Sequence, residues 1–170
     1  LELCPEYDGR DGPLCMLARV HRELGETQEE RAALEKIAKF DDNAVDVYLR
    51  LAELSAAEKD WEAAIENAEL ALAVNPLIQA PHRHLADAAS GLNDHQRAAE
   101  GLLSLAEMDP FAPAEIHFQA ARHLLAAGES IQAKRHVLMA LEEAPRYRDA
   151  HRLLLEIVTP NEKPELESAP

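Results

Sequence analysis

Aromatic residues are scarce in this 170-residue chain: three Phe, three Tyr and one Trp make up 4% of it. A β-sandwich draws heavily on aromatic and β-branched side chains, so the shortage argues against that class. Glycine is sparse too, with six residues. There is no glycine-rich loop to cradle a phosphate, no G-x-S-x-G nucleophile elbow and no H-E-x-x-H zinc motif. The two cysteines, Cys4 and Cys15, fit no zinc spacing, and two thiols are no disulfide framework for a chain this long. They read as ordinary thiols and leave the compartment open. No apolar run approaches the ~20 residues of a membrane span, so no membrane insertion is expected, and no signal-peptide pattern is visible. Basic residues are outnumbered, 17 Lys+Arg against 32 Asp+Glu, for a formal charge of −15. Such a surface repels phosphate backbones and anionic lipid, which excludes nucleic acid as an expected partner.

Apolar residues are abundant, at 47%. They are arranged with a period. Segments that read as helices stop at Pro76, Pro110 and Pro145, spaced by 34 and then 35 residues. In registers of 34, Ala64, Ala98 and Ala133 share a column, as do Ala18, Ala52, Ala86 and Ala121. Leu17, Leu51 and Leu85 form a third column, continued by Ala120, and one extra residue around 111–114 accounts for the longer last spacing. Each unit holds two segments with apolar residues at i, i+3, i+4 and i+7, the pattern of an amphipathic helix. The spacing predicts helices near 13–24, 27–40, 44–57, 60–74, 78–91, 94–108, 113–127, 130–143 and 147–158. Between the helices of a unit lie short polar turns. Gly25 and Gly128 occupy one turn column, where a left-handed residue is wanted. A closing proline cannot continue a helix, because it lacks an N–H and clashes with the preceding turn.

These residues resemble the tetratricopeptide repeat, a 34-residue helix–turn–helix unit. Tyr48, Leu51, Ala52, Trp61, Ala64, Ala71 and Pro76 carry the likeness in the strongest unit. Leu85, Ala86, Ala98 and Pro110 carry it in the next, and Ala121, Gly128, Ala133, Ala140 and Pro145 in the last. Leu14, Leu17, Ala18, Gly25 and Leu34 carry it in the first, where Glu30 stands in place of a small residue and Asp42 in place of proline. Ile37 and Leu105 fill columns where the family prefers Ala. The resemblance implies an all-α solenoid, a right-handed superhelix of about four repeats with a concave groove. The expected organisation is repeats at 11–44, 45–78, 79–112 and 113–147, then a capping helix at 148–158. The Pro- and Glu-rich segment 159–170 is expected to be a disordered tail. At the other end, Leu1, Leu3 and Pro5 reproduce the pattern of Leu72, Val74 and Pro76. Residues 1–10 are therefore expected to be the end of an earlier, truncated repeat and its loop, with an ordinary capping segment as the alternative.

Chemistry is harder to find. His82, His117 and His151 fall in the column of Leu14 and Tyr48, either as amphipathic rings packed in one seam or as a metal- or pH-sensing stack. Successive repeats lie about 10 Å apart at helix-packing distances, which is far for shared coordination. Acids lie at helical spacing beside bases, as in Arg83–Asp87 and Arg152–Glu156, pairs worth a few tenths of a kcal/mol. The reading is that of a non-enzyme without cofactor or metal.

If the repeats stack as the resemblance implies, their first helices line the groove. The groove positions are then Cys15, Arg19 and Arg22; Asp46, Leu49 and Glu53; Ala80, Arg83 and Asp87; Glu115, Phe118 and Arg122; and Asp149, Arg152 and Glu156. Five Arg against six acids give −1, against −15 for the whole chain. Arginine suits forked recognition of carboxylates, and Leu49 and Phe118 add apolar anchors. The expected site is Arg19, Arg22, Leu49, Glu53, Arg83, Asp87, Phe118, Arg122 and Arg152, holding a segment of another protein. The alternative is that these arginines only pair with Glu53, Asp87 and Glu156. Some members of the family clamp an acidic chaperone C-terminus with Lys, Asn and Arg. The matching positions here, Arg19, Glu53, Arg83 and Asp87, depart from that pattern, and two of them repel a carboxylate. Two functions are therefore expected: an interaction scaffold, or an auxiliary or oligomerisation arm of a larger bacterial enzyme such as a peptidase or transferase. A homodimer through an exposed end of the array is a further expectation.

Overall fold

The computed structural model describes residues 12–108 and 114–159. Among them are nine α-helices: α1 (Pro13–Leu24), α2 (Thr27–Phe40), α3 (Val45–Ala57), α4 (Trp61–Val74), α5 (Gln79–Gly91), α6 (His95–Met108), α7 (Ala114–Ala126), α8 (Ser130–Glu143) and α9 (Arg148–Val158). Each starts and stops within one residue of the range that apolar periodicity predicts. The truncated repeat at 1–10, the closing Pro110, the inserted residue at 111–113 and the tail from 160 onward lie outside the described residues.

The helix ends follow local chemistry. Pro13 opens α1, where its missing N–H is one of the four that a helix start leaves unbonded anyway. Asp60 caps α4 by accepting from the Ala63 N–H. α4 and α8 stop at Val74 and Glu143, two residues short of Pro76 and Pro145. The turn within each unit is the same device four times. Gly25 and Gly128 are left-handed, at φ 73° and 86°, but so are Lys59 and Asn93, at 62° and 59°. All four share one column. At each, the next residue's N–H reaches back five residues: Glu26 to His21, Asp60 to Ser55, Asp94 to Ala89 and Glu129 to Leu124, at 2.8–2.9 Å. This is the Schellman closure, and it retains its geometry even where lysine must accept a left-handed backbone.

The helices form two compact units that divide between Arg97 and Ala98. In the first, α2 packs on α1 and α3, and α4 on α3 and α5. Its core gathers Ala18, Ala33, Leu34, Ile37, Val47, Leu51 and Leu54, with Leu14 and Cys15 packed alongside. In the second, α8 packs on α7 and α9. There Ala121, Val137 and Ala140 share one buried cluster with Ala150 and Leu153, which packs α9 against the α7–α8 pair. Ala64, Ala98 and Ala133 are fully buried. A larger side chain in that column would hold the helix axes apart, because interiors are close-packed. The first unit breaks the column with Glu30, which is also buried.

Candidate partner-binding surface

Glu30 is tolerated because α3 supplies its counter-charge. Arg50 donates from Nε and Nη2 to the two Glu30 carboxylate oxygens, at 2.7 and 2.9 Å, and from Nη1 to Glu53 at 2.8 Å. The forked hydrogen bond to Glu30 holds the Arg50 proton more firmly than in a free guanidinium, against the opposing effect of burial. Glu53, read from sequence as a groove residue, is therefore bound up with Arg50.

The other first-unit candidates stand open. Arg19, Arg22, Arg83 and Asp87 are exposed and Leu49 is half-buried. Among the described residues, Arg19, Arg22, Arg83 and Asp87 form no ion pair within 4.0 Å. The expected i, i+4 pair Arg83–Asp87 is thus not formed. Nor is Arg152–Glu156, since Arg152 turns back to Asp149 at 3.1 Å. That contact is largely exposed and adds little stability.

In the second unit the candidates converge. Phe118, Arg122, Asp149, Arg152, Leu153 and Glu156 line one concavity of about 310 Å³ between α7 and α9. Leu153 is buried and Phe118 half-buried, which makes an apolar floor, while the four charged residues are exposed around it. Phe118 lies 4.8 Å from the Tyr147 ring, tilted at 50°, and the Arg122 guanidinium sits 6.0 Å from the Phe118 ring centre. Both arrangements are favourable for a ring with a negative face and positive edge. No column of the repeat marks Tyr147 as a candidate. It stands two residues past the closing Pro145 and donates its hydroxyl to Glu115. Burial, followed by that bond, pushes its phenol well above the ordinary range. Tyr147 thereby packs against the Phe118 ring and helps to hold it in place beside the concavity.

The three column histidines do not share one seam. His82 and His151 each bond the carbonyl of the proline six residues earlier, Pro76 at 3.1 Å and Pro145 at 2.9 Å, and so tie a first helix to the preceding turn. His117 instead is buried and meets His136 of α8, Nδ1 to Nδ1 at 3.3 Å, with ring centres 5.4 Å apart. Among the described residues, no three His, Cys, Asp or Glu side chains are grouped to hold a metal.

The His117–His136 contact needs a proton on one nitrogen and a lone pair on the other, so two charged rings are excluded. Burial lowers both pKa values below 6.5; Glu143 opposes the shift at His117, whereas His117 and Arg135 add to it at His136. The unfolded chain then binds more protons below that value, and stability rises with pH. The contribution is complete above about 6.5 and is lost as pH falls through the lowered values. Urea midpoints are expected to drop from about pH 7.5 to about pH 5.5 in the natural chain and markedly less in His117→Gln/His136→Gln. Equal drops in both would show that the pair is not responsible.

No protein-family model matches the sequence, and no curated protein matches it. Solved structures do match. The fold is that of the tetratricopeptide repeat, all-α and built of repeated helix pairs. YrrB, described as a TPR protein with an unusual peptide-binding site, superposes with a TM-score of 0.74 at 18% identity, over 93% of this chain and 80% of that one. A crystal structure of MamA superposes at 0.70 and 17% identity, over 85% and 78%. A second MamA structure, from MSR-1, gives 0.66 at 20% identity, over 86% and 84%.

Proposed function

We propose that this chain is a protein-interaction scaffold that holds a segment of another protein and has no chemistry of its own. The observation that carries the reading is the second-unit concavity, where Phe118, Arg122 and Arg152 come together over a Leu153 floor. An aromatic anchor beside an arginine in a recess is the composition of an interface hot spot. A segment with an apolar side chain for the Phe118 face and a carboxylate for Arg122 fits it. The first unit, taken by itself, offers a separate set of candidate contacts, Arg19, Arg22, Leu49, Arg83 and Asp87, with Glu53 through the oxygen that Arg50 leaves free. The peptide-binding site of one fold relative supports the reading by analogy.

The test is capture from the source cell's lysate with the natural chain beside Phe118→Ala/Arg122→Glu, both of unchanged helicity. A partner held by the natural chain is expected to bind the variant roughly thirtyfold more weakly, since hot-spot truncations cost about 2 kcal/mol or more. A partner held equally by both would move the contact elsewhere and overturn the reading.

A further inference from the structure

The charges around the Phe118 concavity fall into two kinds, and the repeat register separates them. A step of 34 residues carries Glu115, Phe118 and Arg122 of α7 onto Asp149, Arg152 and Glu156 of α9. Short turns join α7 to α8 and α8 to α9, and α8 packs on both, so α7 and α9 run the same way. Equivalent residues therefore stand level on the two walls. Toward the helix N-termini the charges are satisfied within the chain. Glu115 accepts from Tyr147 and Gln119, and Asp149 accepts from Arg152 at 3.1 Å. At the level of Arg122 and Glu156 they are not. Both residues are exposed, and among the described residues neither forms an ion pair within 4.0 Å. A free cation on one wall thus stands level with a free anion on the other, beside an apolar floor of Phe118 and Leu153.

We infer that the segment bound there carries an acid and a base on either side of its apolar anchor: the acid meets Arg122, the base meets Glu156, and the anchor rests on Phe118 and Leu153. This rests on the reading of the concavity as a binding site and adds the second charge that its partner must present. Charge complementarity argues for that occupant. A segment with acids alone would set one of them against Glu156, and a segment with bases alone would set one against Arg122; both arrangements are repulsive. The spacing agrees. Neighbouring helices pack ~10 Å apart. In an extended segment, positions i, i+2 and i+4 share one face and span ~13 Å. An acid–x–apolar–x–base sequence, or its reverse, therefore reaches both walls with the anchor between them. Lys or Arg serves equally as the base, since Glu156 offers a carboxylate to either.

Selection of short random peptides displayed on phage, with the full 170-residue chain as bait, tests this. Enriched peptides are expected to carry an apolar residue flanked by an acid and a base, and to lose binding to Phe118→Ala of unchanged helicity. In a synthetic copy of one such peptide, replacing the base by Gln should weaken binding about fivefold. Glu156→Gln in the chain should do the same, and the two changes together should weaken it little further. The peptide's acid and Arg122→Gln should behave alike. Both chain positions are exposed, so these substitutions leave the fold intact. Peptides selected for acids without a base, or a base indifferent to Glu156→Gln, overturn the inference and leave the concavity as a binding site. No enrichment, or enrichment unchanged by Phe118→Ala and Arg122→Gln, overturns the site itself. Enrichment seen only with a chain ending at Thr159 names residues 160–170 as the occupant, and a bait dimer dissolved by Phe118→Ala names a second copy. Either result overturns the inferred partner.

Discussion

Replacing Arg50 by Met is expected to destabilise the first unit by about 2–4 kcal/mol, seen as a lowered urea midpoint. The substitution keeps the apolar stem and removes the charge. Glu30 then keeps its position, with its side chain only 4% exposed and no cation against it. A buried carboxylate without a partner carries the full desolvation penalty. The value lies toward the low side of the range for buried pairs because Arg50 itself is 24% exposed. The double variant Glu30→Ala/Arg50→Met should recover most of the loss, to within about 1 kcal/mol of the natural chain. Alanine is what the column holds at 64, 98 and 133, where it packs without a gap. If the single variant unfolds at the natural midpoint, the account of Glu30 as a paired buried ion fails.

Gly91→Ala is expected to cost about 1–2 kcal/mol, although alanine is the better helix former. Gly91 ends α5, and the Trp61 ring of α4 lies directly over its α-carbon. A Cβ there would meet Trp61 Cε2 at 2.5 Å and Cδ2 at 2.6 Å. Those are ring-fusion atoms, so the indole must move as a whole. Overpacking of this kind costs about 1–3 kcal/mol, and the propensity gain returns up to about 1 kcal/mol. Trp61 is the chain's one tryptophan, so its emission reports the displacement directly. A red-shifted emission with a lowered midpoint is expected. An unshifted spectrum with an unchanged or raised midpoint would mean that the ring turns aside freely.

Much of this was legible in the chain. The helices follow from apolar spacing, and the shared columns mark which residues are buried. The turn column was only half legible: glycine announces positive φ, whereas Lys59 and Asn93 adopt it because the closure around them demands it. The histidine column misled for a related reason. Periodicity says which way a side chain points on its own helix. It does not say what the neighbouring helix presents, and His136 stands where other units have Ala33, Asn67 and Gly101. The charge pairs misled in the same way. Arg152 had an acid at i+4 and took the one at i−3.

By itself the sequence determined the element type, the helix ends, the repeat length and the alanine surfaces on which helices approach. These depend on neighbours within a turn or two, or on a pattern repeated often enough to read. Only the tertiary structure decided the specific partnerships: Arg50 with Glu30 across 20 residues, Tyr147 behind Phe118, and His117 against His136. Each joins a helix to a neighbouring helix or turn, and side chains there choose partners by distance in space, which no period encodes.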